Sequence, residues 1–286
     1  MDQVLENVLR KPLLSRYITR LRSTPLKEYV RSMFLGQFLS PSERAIIAET
    51  KQVIATLAEI REKTQRPYTG FCQLPNEVDD YMGSFDWSLP WSAGGQTSAL
   101  AVFLSVEAPR LMPDDKVFAL KQAARSFYRS IANPTSGGYF IGKRPNDDML
   151  VNGAMKVLTA LDWLGEEIHY PTQLIDTTLH KLPRPDGCHV VDAVYVLYRC
   201  ALQTNYRRSA IGTYLQECLC MISQHTRADG GFSYDINQSQ KWYYGLPITK
   251  GLKEGDIHGT ILLIWAATMC AAVLYPGRLS WKVLRP

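Results

Sequence analysis

Apolar side chains recur at the period of an α-helix along most of this chain. Leu9, Leu13, Tyr17 and Leu21 fall at steps of four, and Ile46, Ile47, Val53, Ile54, Leu57 and Ile60 at steps of three, four or seven. The stretch from Val4 to about Gln65 is therefore predicted to be mostly helical. Ser40-Pro41-Ser42-Glu43 predicts a helix start within it, with Ser40 as the cap, Pro41 in the first turn and Glu43 at the third position. From Pro67 to Pro90 the period vanishes. Proline, glycine, aromatics and acids are mixed there, which predicts a long irregular loop or a set of short turns.

Beyond that loop one pattern repeats: a glycine-containing turn opens a nearly uncharged helix, and a more polar helix follows. The turns are Ser92-Ala93-Gly94-Gly95, Ser136-Gly137-Gly138, Pro185-Asp186-Gly187 and Asp229-Gly230-Gly231. The helices they precede are predicted over Gln96 to Val106, Val151 to Leu164, Val190 to Leu202 and Ile257 to Leu274. The glycines return roughly every 45 residues, the scale of a helix-pair repeat. The helices after them are apolar nearly all round, so both faces should be covered, whereas Asp115 to Ile131 and Tyr206 to His225 carry one apolar stripe and one polar face. Two concentric layers satisfy that alternation, with apolar helices inside, amphipathic ones outside and the glycine turns gathered at one end. Strand signals are confined to Gly137 to Ile141 and Gly231 to Ile236. The expectation is an all-α fold, an α/α toroid. It forms a single domain over 1–286, with N-terminal helices at 1–66, the irregular segment at 67–91 and glycine-turn helix pairs at 92–286.

Composition narrows this picture only a little. The 286 residues are 46% hydrophobic, enough for one large core. The formal charge of +5 is spread out, with its densest groups at Arg16 to Arg22 and Arg207-Arg208, which reads as solvated helix faces and not as a nucleic-acid surface. Cys72, Cys188, Cys200, Cys218, Cys220 and Cys270 lack Cys-x-x-Cys spacing and read as reduced thiols of a cytoplasmic protein. The acidic start at Asp2 and Glu6 does not look like a secretory signal. The uncharged run from Ile257 to Tyr275 raises a membrane question. It falls short of the ~20 clearly apolar residues of a spanning helix, so a buried core helix is expected and no transmembrane segment, with peripheral membrane contact left open.

Candidate chemistry gathers where loops enter the apolar helices. Asp186-Gly187-Cys188-His189, Ala228-Asp229-Gly230-Gly231-Phe232 and Asp256-Ile257-His258-Gly259-Thr260 hold the residue types that a metal such as zinc selects. Equally, Asp186 can cap a helix, Cys188 can pack in the core and His258 can hydrogen-bond a neighbouring loop. Asp192 sits in the apolar run Val190 to Leu197 on one helical face with Cys188 and His189, and an acid there must be paired, hydrogen-bonded or functional, with Arg199, Lys156 or a tyrosine as partner. Asp147-Asp148 precede the helix carrying Asn152 and Lys156, where they serve as a proton source or as N-terminal capping acids. Glu77, Asp79, Asp80 and Asp86 crowd the irregular loop, as an Mg²⁺ cluster or as solvated acids. Trp87, Trp91, Tyr139, Phe140, Phe232, Tyr234, Trp242, Tyr243, Tyr244 and Trp265 are candidates to line a substrate cavity, since their π-faces stabilise cations and stack on rings.

The last hundred residues resemble the β subunits of protein prenyltransferases, in the superfamily shared with squalene and hopene cyclases. Asp186-Gly187-Cys188 matches the Asp-Gly-Cys of that family, Asp229-Gly230-Gly231-Phe232 resembles its Gly-Gly turn, and Asp256-Ile257-His258-Gly259-Thr260 is similar to its Asp-x-x-His-Thr. The resemblance implies an α/α toroid and a Zn²⁺ held by Asp186, Cys188 and His258. It also implies an isoprenoid diphosphate bound by basic groups, for which Lys250, Lys253, Arg207 and Arg208 are candidates, with Mg²⁺ only if that diphosphate is ionised. Here one residue separates Asp256 from His258, and Gly259 stands before Thr260. Protein prenyltransferases pair with a helical α subunit, so a partner protein is left open. Pro145-Asn146-Asp147-Asp148 shares the last two acids of the Asp-x-Asp-Asp of cyclases that protonate an alkene, and Val151 to Thr159 is similar to bacterial helical proteins of this general type.

No Gly-x-x-x-x-Gly-Lys, dinucleotide fingerprint, Gly-x-Ser-x-Gly or His-Glu-x-x-His occurs, which removes several enzyme classes. The expected function is an isoprenoid-acting enzyme of the terpene cyclase or prenyltransferase type. An apolar small-molecule substrate would occupy a central cavity, and Asp192 or the Asp147-Asp148 pair would supply a proton. The alternatives are a carbohydrate-active toroid enzyme with paired carboxylates, and a non-catalytic binding or scaffold protein.

Overall fold

The computed structural model describes residues 41–286. The helix periodicity predicted before Pro41 lies outside the described residues. Within them the protein is all-α: α1 (Pro41–Glu59), α2 (Pro75–Gly83), α3 (Pro90–Val106), α4 (Asp114–Ile131), α5 (Asp147–Leu164), α6 (Pro171–Leu179), α7 (Gly187–Gln203), α8 (Arg208–Ser223) and α9 (Ile257–Leu274). A 3-10 turn at Ala108–Arg110 and a hairpin of β1 (Trp242–Tyr243) and β2 (Leu246–Pro247) interrupt them.

The four helices without a polar face pack side by side in chain order. α3 lies against α5, α5 against α7 and α7 against α9, while the amphipathic α4, α6 and α8 cover them from outside. Paired contacts along each pair show that the four run the same way, with Asp162–Arg199 following Lys156–Asp192 between α5 and α7 and Tyr195–Trp265 following Gly187–Leu262 between α7 and α9. A Cβ on Gly153, near the start of α5, would meet Pro90 at the start of α3 2.6 Å away, while Ser105 Oγ at the far end of α3 donates to the Trp163 carbonyl at 2.7 Å. Lys156 faces Asp192 between α5 and α7, and Tyr195 tilts against Trp265 between α7 and α9. Each outer helix thus returns the chain to the starting end.

α1 continues this series beside α3, since Ile54 and Ala55 pack with Ala99, Val102, Phe103 and Trp163. Beyond α9, the tail bridges back toward α1. The Leu284 carbonyl accepts from Trp265 Nε1 (3.1 Å), the Pro286 carbonyl accepts from Trp163 Nε1 (2.9 Å), and Lys282 and Arg285 pair with Glu59 at 2.9 and 2.6 Å. By length and composition α9 is the one helix among the described residues that passes for a membrane span. Leu263, Ala266, Met269, Cys270 and Val273 are buried in the protein, but Ile257, Ile261 and Ile264 are exposed, so the expectation of a core helix covered on both faces does not hold for α9.

Several elements differ from the sequence reading. Gly94 and Gly95 lie inside α3 and not in a turn before it. Gly94 is there for close approach, because a Cβ would stand 2.9 Å from Lys156 Cβ and 3.3 Å from the Gly153 carbonyl. The segment 67–91 is not irregular throughout: Pro75 opens α2, and Glu77 Oε2 accepts the Gln73 and Leu74 amides at its start (2.7 and 3.2 Å). Gly137 to Ile141 and Gly231 to Ile236 form isolated bridges and no strand, and the hairpin falls at Trp242–Pro247. The short α6 has no counterpart in the pattern.

Candidate active site

One cavity of about 560 Å³ opens at the starting ends of the parallel helices. Trp91 and Gln96 of α3, Met149 and Lys156 of α5, Cys188 and Asp192 of α7, and His258 and Leu262 of α9 all line it, all but the mid-helix Lys156 from the first half of their helices. The hairpin covers its mouth with Trp242, Tyr243 and Tyr244, and Arg44 of α1 stands over the Tyr244 ring at 6.0 Å. The hairpin turn places both Tyr244 (φ 50°) and Gly245 (φ 80°) in the left-handed region, as the twist of a two-residue connection demands. A bulky residue held at positive φ carries strain, and here it sits over a cavity.

The polar centre is Asp192, which is fully buried. Its Oδ1 lies 3.4 Å from Lys156 Nζ, and its Oδ2 has no hydrogen-bond partner. Burial pushes its carboxyl up to about 6, against the pull of the Lys156 charge. Despite its own burial, Lys156 is held above the ordinary ammonium range by Asp192. Gln96, also buried, has an Oε1 without a partner. His258 stacks on Tyr234 and meets Tyr243 edge-on, and its Nδ1 lies 2.6 Å from Gln240 Oε1. Burial lowers its pKa to about 4, so the imidazole is neutral at pH 7.

Cys188 lines the same cavity, and burial, helped by the Asp192 charge, pushes its thiol up to about 12. A thiol of that kind is a poor nucleophile. Iodoacetamide at pH 8 is expected to modify the exposed Cys220 and to leave Cys188 unmodified, a difference read by peptide mass spectrometry. Fast modification of Cys188 would contradict this electrostatic picture.

Asp186, Cys188 and His258 do not come together as a triad. Cys188 and His258 share the cavity, whereas Asp186 caps α7, its Oδ1 accepting the His189 amide (3.1 Å) and meeting His189 Nδ1 at 2.8 Å. Among the described residues no three His, Cys, Asp or Glu side chains are close enough to hold a metal ion, so this donor set does not fit the zinc site that the resemblance implies. Asp256 plays the same capping part at α9, with Oδ1 accepting from the Gly259 amide (2.7 Å) and Oδ2 from the amides of Tyr234 (2.7 Å) and Gln240 (3.1 Å).

Asp147 and Asp148 lie outside the cavity, beside a recess of about 20 Å³. Asp147 pairs with Arg144 and His180, both at 2.7 Å, and these partners outweigh burial to hold its carboxyl below the usual range. Asp148 pairs with Lys181 at 2.8 Å. Neither is placed to protonate a molecule in the cavity. Of the basic candidates, Arg207 pairs with Asp176 and Arg208 donates to the Ala201 carbonyl at the far end of α7, while Lys250 and Lys253 are exposed on the loop before α9. Of the acids expected in an irregular loop, Glu77, Asp79 and Asp80 lie on α2, with Asp79 and Asp80 exposed, and Asp86 accepts from the Ser88 amide (2.9 Å).

Of the ten aromatic candidates four line the cavity and six, Phe140 and Tyr234 among them, do not. Trp91, Trp242, Tyr243 and Tyr244 line the cavity. Trp87 is buried with Nε1 donating to the Met82 carbonyl (2.8 Å), Tyr139 is buried against His169, Phe232 packs on the core, and Trp265 packs on Tyr195. Arg44, Gln96 and Gln240 were not singled out by sequence. For Gln96, the signal was an amide in the apolar run of α3. No family model, no curated protein and no solved structure matches this chain.

Proposed function

We propose that the helices form an α/α toroid and that the chain is an enzyme acting on an apolar, isoprenoid-like chain in its central cavity, with Asp192 as the proton-transfer group. The toroid reading is supported by the alternation of parallel inner helices and outer return helices, with α1 and the C-terminal tail spanning from α9 back to α3. The observation that carries the function is the bare Oδ2 of a fully buried acid beside an aromatic-lined cavity. An acid raised to about 6 keeps an appreciable protonated fraction near neutral pH. Four aromatic rings and the Met and Leu side chains keep water from a cationic intermediate and stabilise it through their π-faces.

The carbohydrate-active alternative needs two facing carboxylates. Among the described residues Asp192 is the only carboxylate lining the cavity, which favours the isoprenoid reading. The test is incubation with linear C15 and C20 isoprenoids as hydrocarbons, alcohols and diphosphates, with product analysis by gas chromatography and mass spectrometry. Conversion is expected, with a rate that falls as pH rises through about 6, where Asp192 loses its proton. Binding without conversion at any pH would make the chain a binding protein instead, and neither binding nor conversion would remove the reading.

A further inference from the structure

We infer that the polar end of the molecule bound in this cavity is an alcohol hydroxyl, and not a phosphate ester or an ammonium group. The inference rests on the reading of the cavity as a site for an apolar chain, and names the head group that the site takes.

Two buried oxygens of residues lining the cavity lack any hydrogen-bond partner, Asp192 Oδ2 and Gln96 Oε1. A buried acceptor left bare is costly, and a ligand that brings a donor relieves that cost. Asp192 Oδ1 already faces Lys156 Nζ, so Oδ2 is the oxygen that awaits a ligand and the one that carries the proton when the carboxyl is neutral. A hydroxyl accepts from a protonated Oδ2 while donating its one hydrogen to Gln96 Oε1, and donates that hydrogen to Oδ2 when the carboxyl is ionised, so it finds a partner in both states. Its oxygen can also accept from Lys156 Nζ, whose distance of 3.4 Å from Asp192 leaves the ion pair loose enough to share.

The competing head groups fit less well. Lys156, Arg44 and the helix starts attract a phosphate, but a phosphate has no proton to offer Gln96 Oε1 and repels Asp192 once that carboxyl is ionised. An ammonium donates well but meets the Lys156 charge, Arg44 at the mouth and the positive ends of α3, α5, α7 and α9. A neutral donor that is also an acceptor avoids all of these conflicts.

The experiment is a titration of the intact protein with farnesol, farnesyl diphosphate, farnesylamine and the hydrocarbon farnesene, following tryptophan fluorescence, since Trp91 and Trp242 line the cavity. Farnesol is expected to bind at least about tenfold more tightly than each of the others. Gln96→Met is expected to weaken farnesol about tenfold and leave farnesene unchanged, because it removes the bare oxygen and keeps the shape. Diphosphate or amine binding as tight as that of farnesol overturns the head-group inference and leaves the apolar-chain reading in place. Failure of all four ligands to bind overturns both. The ligand comparison uses the unaltered protein and so does not depend on how the variant folds.

Discussion

Asp192→Asn is expected to yield a protein more stable than the parent at pH 7 and at least about 100-fold slower in turnover. Both effects come from the same oxygen. Asn reproduces the shape of the neutral carboxyl and cannot ionise, so it stands for Asp192 in its protonated state. In the folded protein the Asp192 carboxyl is raised from 3.8 to about 6, so between those values the native state binds more protons than the unfolded chain. Stability contributed by this group therefore declines as pH rises from about 4 to about 6 and stays level above that. The gap corresponds to about 3 kcal/mol, present as a penalty at pH 7 and absent at pH 4.

Urea denaturation of parent and variant at pH 4 and pH 7 checks this. Near-equality is expected at pH 4 and an advantage to the variant at pH 7, a difference from which the carboxylates shared by both proteins cancel. A loss of stability at pH 7 would identify the Lys156–Asp192 contact as a structural ion pair that the fold depends on. A gain of stability with loss of turnover is the mark of an acid kept at a cost for its chemistry.

How far such a site can be read from sequence depends on the range of the interaction that made it. α9 was legible to the residue because Asp256 caps it and no charge interrupts Ile257 to Leu274. α7 was legible from Asp186-Gly187 and the apolar run behind it, and an acid inside that run marked Asp192 directly. The start of α3 was not, because Gly94-Gly95 has the composition of a turn, and its helical role appears only when Gly153 and Lys156 of α5 press against it. The hairpin was hidden because its turn sets a tyrosine at positive φ, where sequence reasoning looks for Asn, Asp or Gly. Trp87 and Trp91 are spaced as neighbours on one helical face, but α3 begins between them, so one is buried in the core and the other faces the cavity. Asp147 and Asp192 look alike as acids on apolar helices. Only their partners, the local Arg144 and the distant His180 for Asp147 against a single loose Lys156 for Asp192, separate a surface ion pair from a bare acid.

Gly259→Ala is expected to destabilise the protein by about 3 kcal/mol and to abolish ligand binding in the cavity. Gly259 lies in the first turn of α9, and a Cβ there would stand 2.4 Å from the Tyr234 amide nitrogen and 2.7 Å from the Ser233 carbonyl carbon. Both are backbone atoms in a segment with little freedom to retreat. The Tyr234 amide donates to Asp256 (2.7 Å), the Tyr234 carbonyl accepts from the Gly187 amide at the start of α7 (2.9 Å), and the Ser233 amide donates to the His225 carbonyl (2.9 Å). A methyl group would push the loop from α9, break the Asp256 clamp that also holds Gln240, and release His258 from its partner. Gly95→Ala is the control, since a Cβ there meets nothing within 4 Å and alanine favours the helix, so stability should hold or rise by roughly 0.5–1 kcal/mol. Urea denaturation of the two variants gives the comparison, and a Gly259→Ala protein within about 1 kcal/mol of the parent would show that the loop yields and the clamp is dispensable. Only glycine lets the backbone at Ser233 and Tyr234 lie against the first turn of α9, and that approach sets both His258 and the start of α7 at the edge of the cavity.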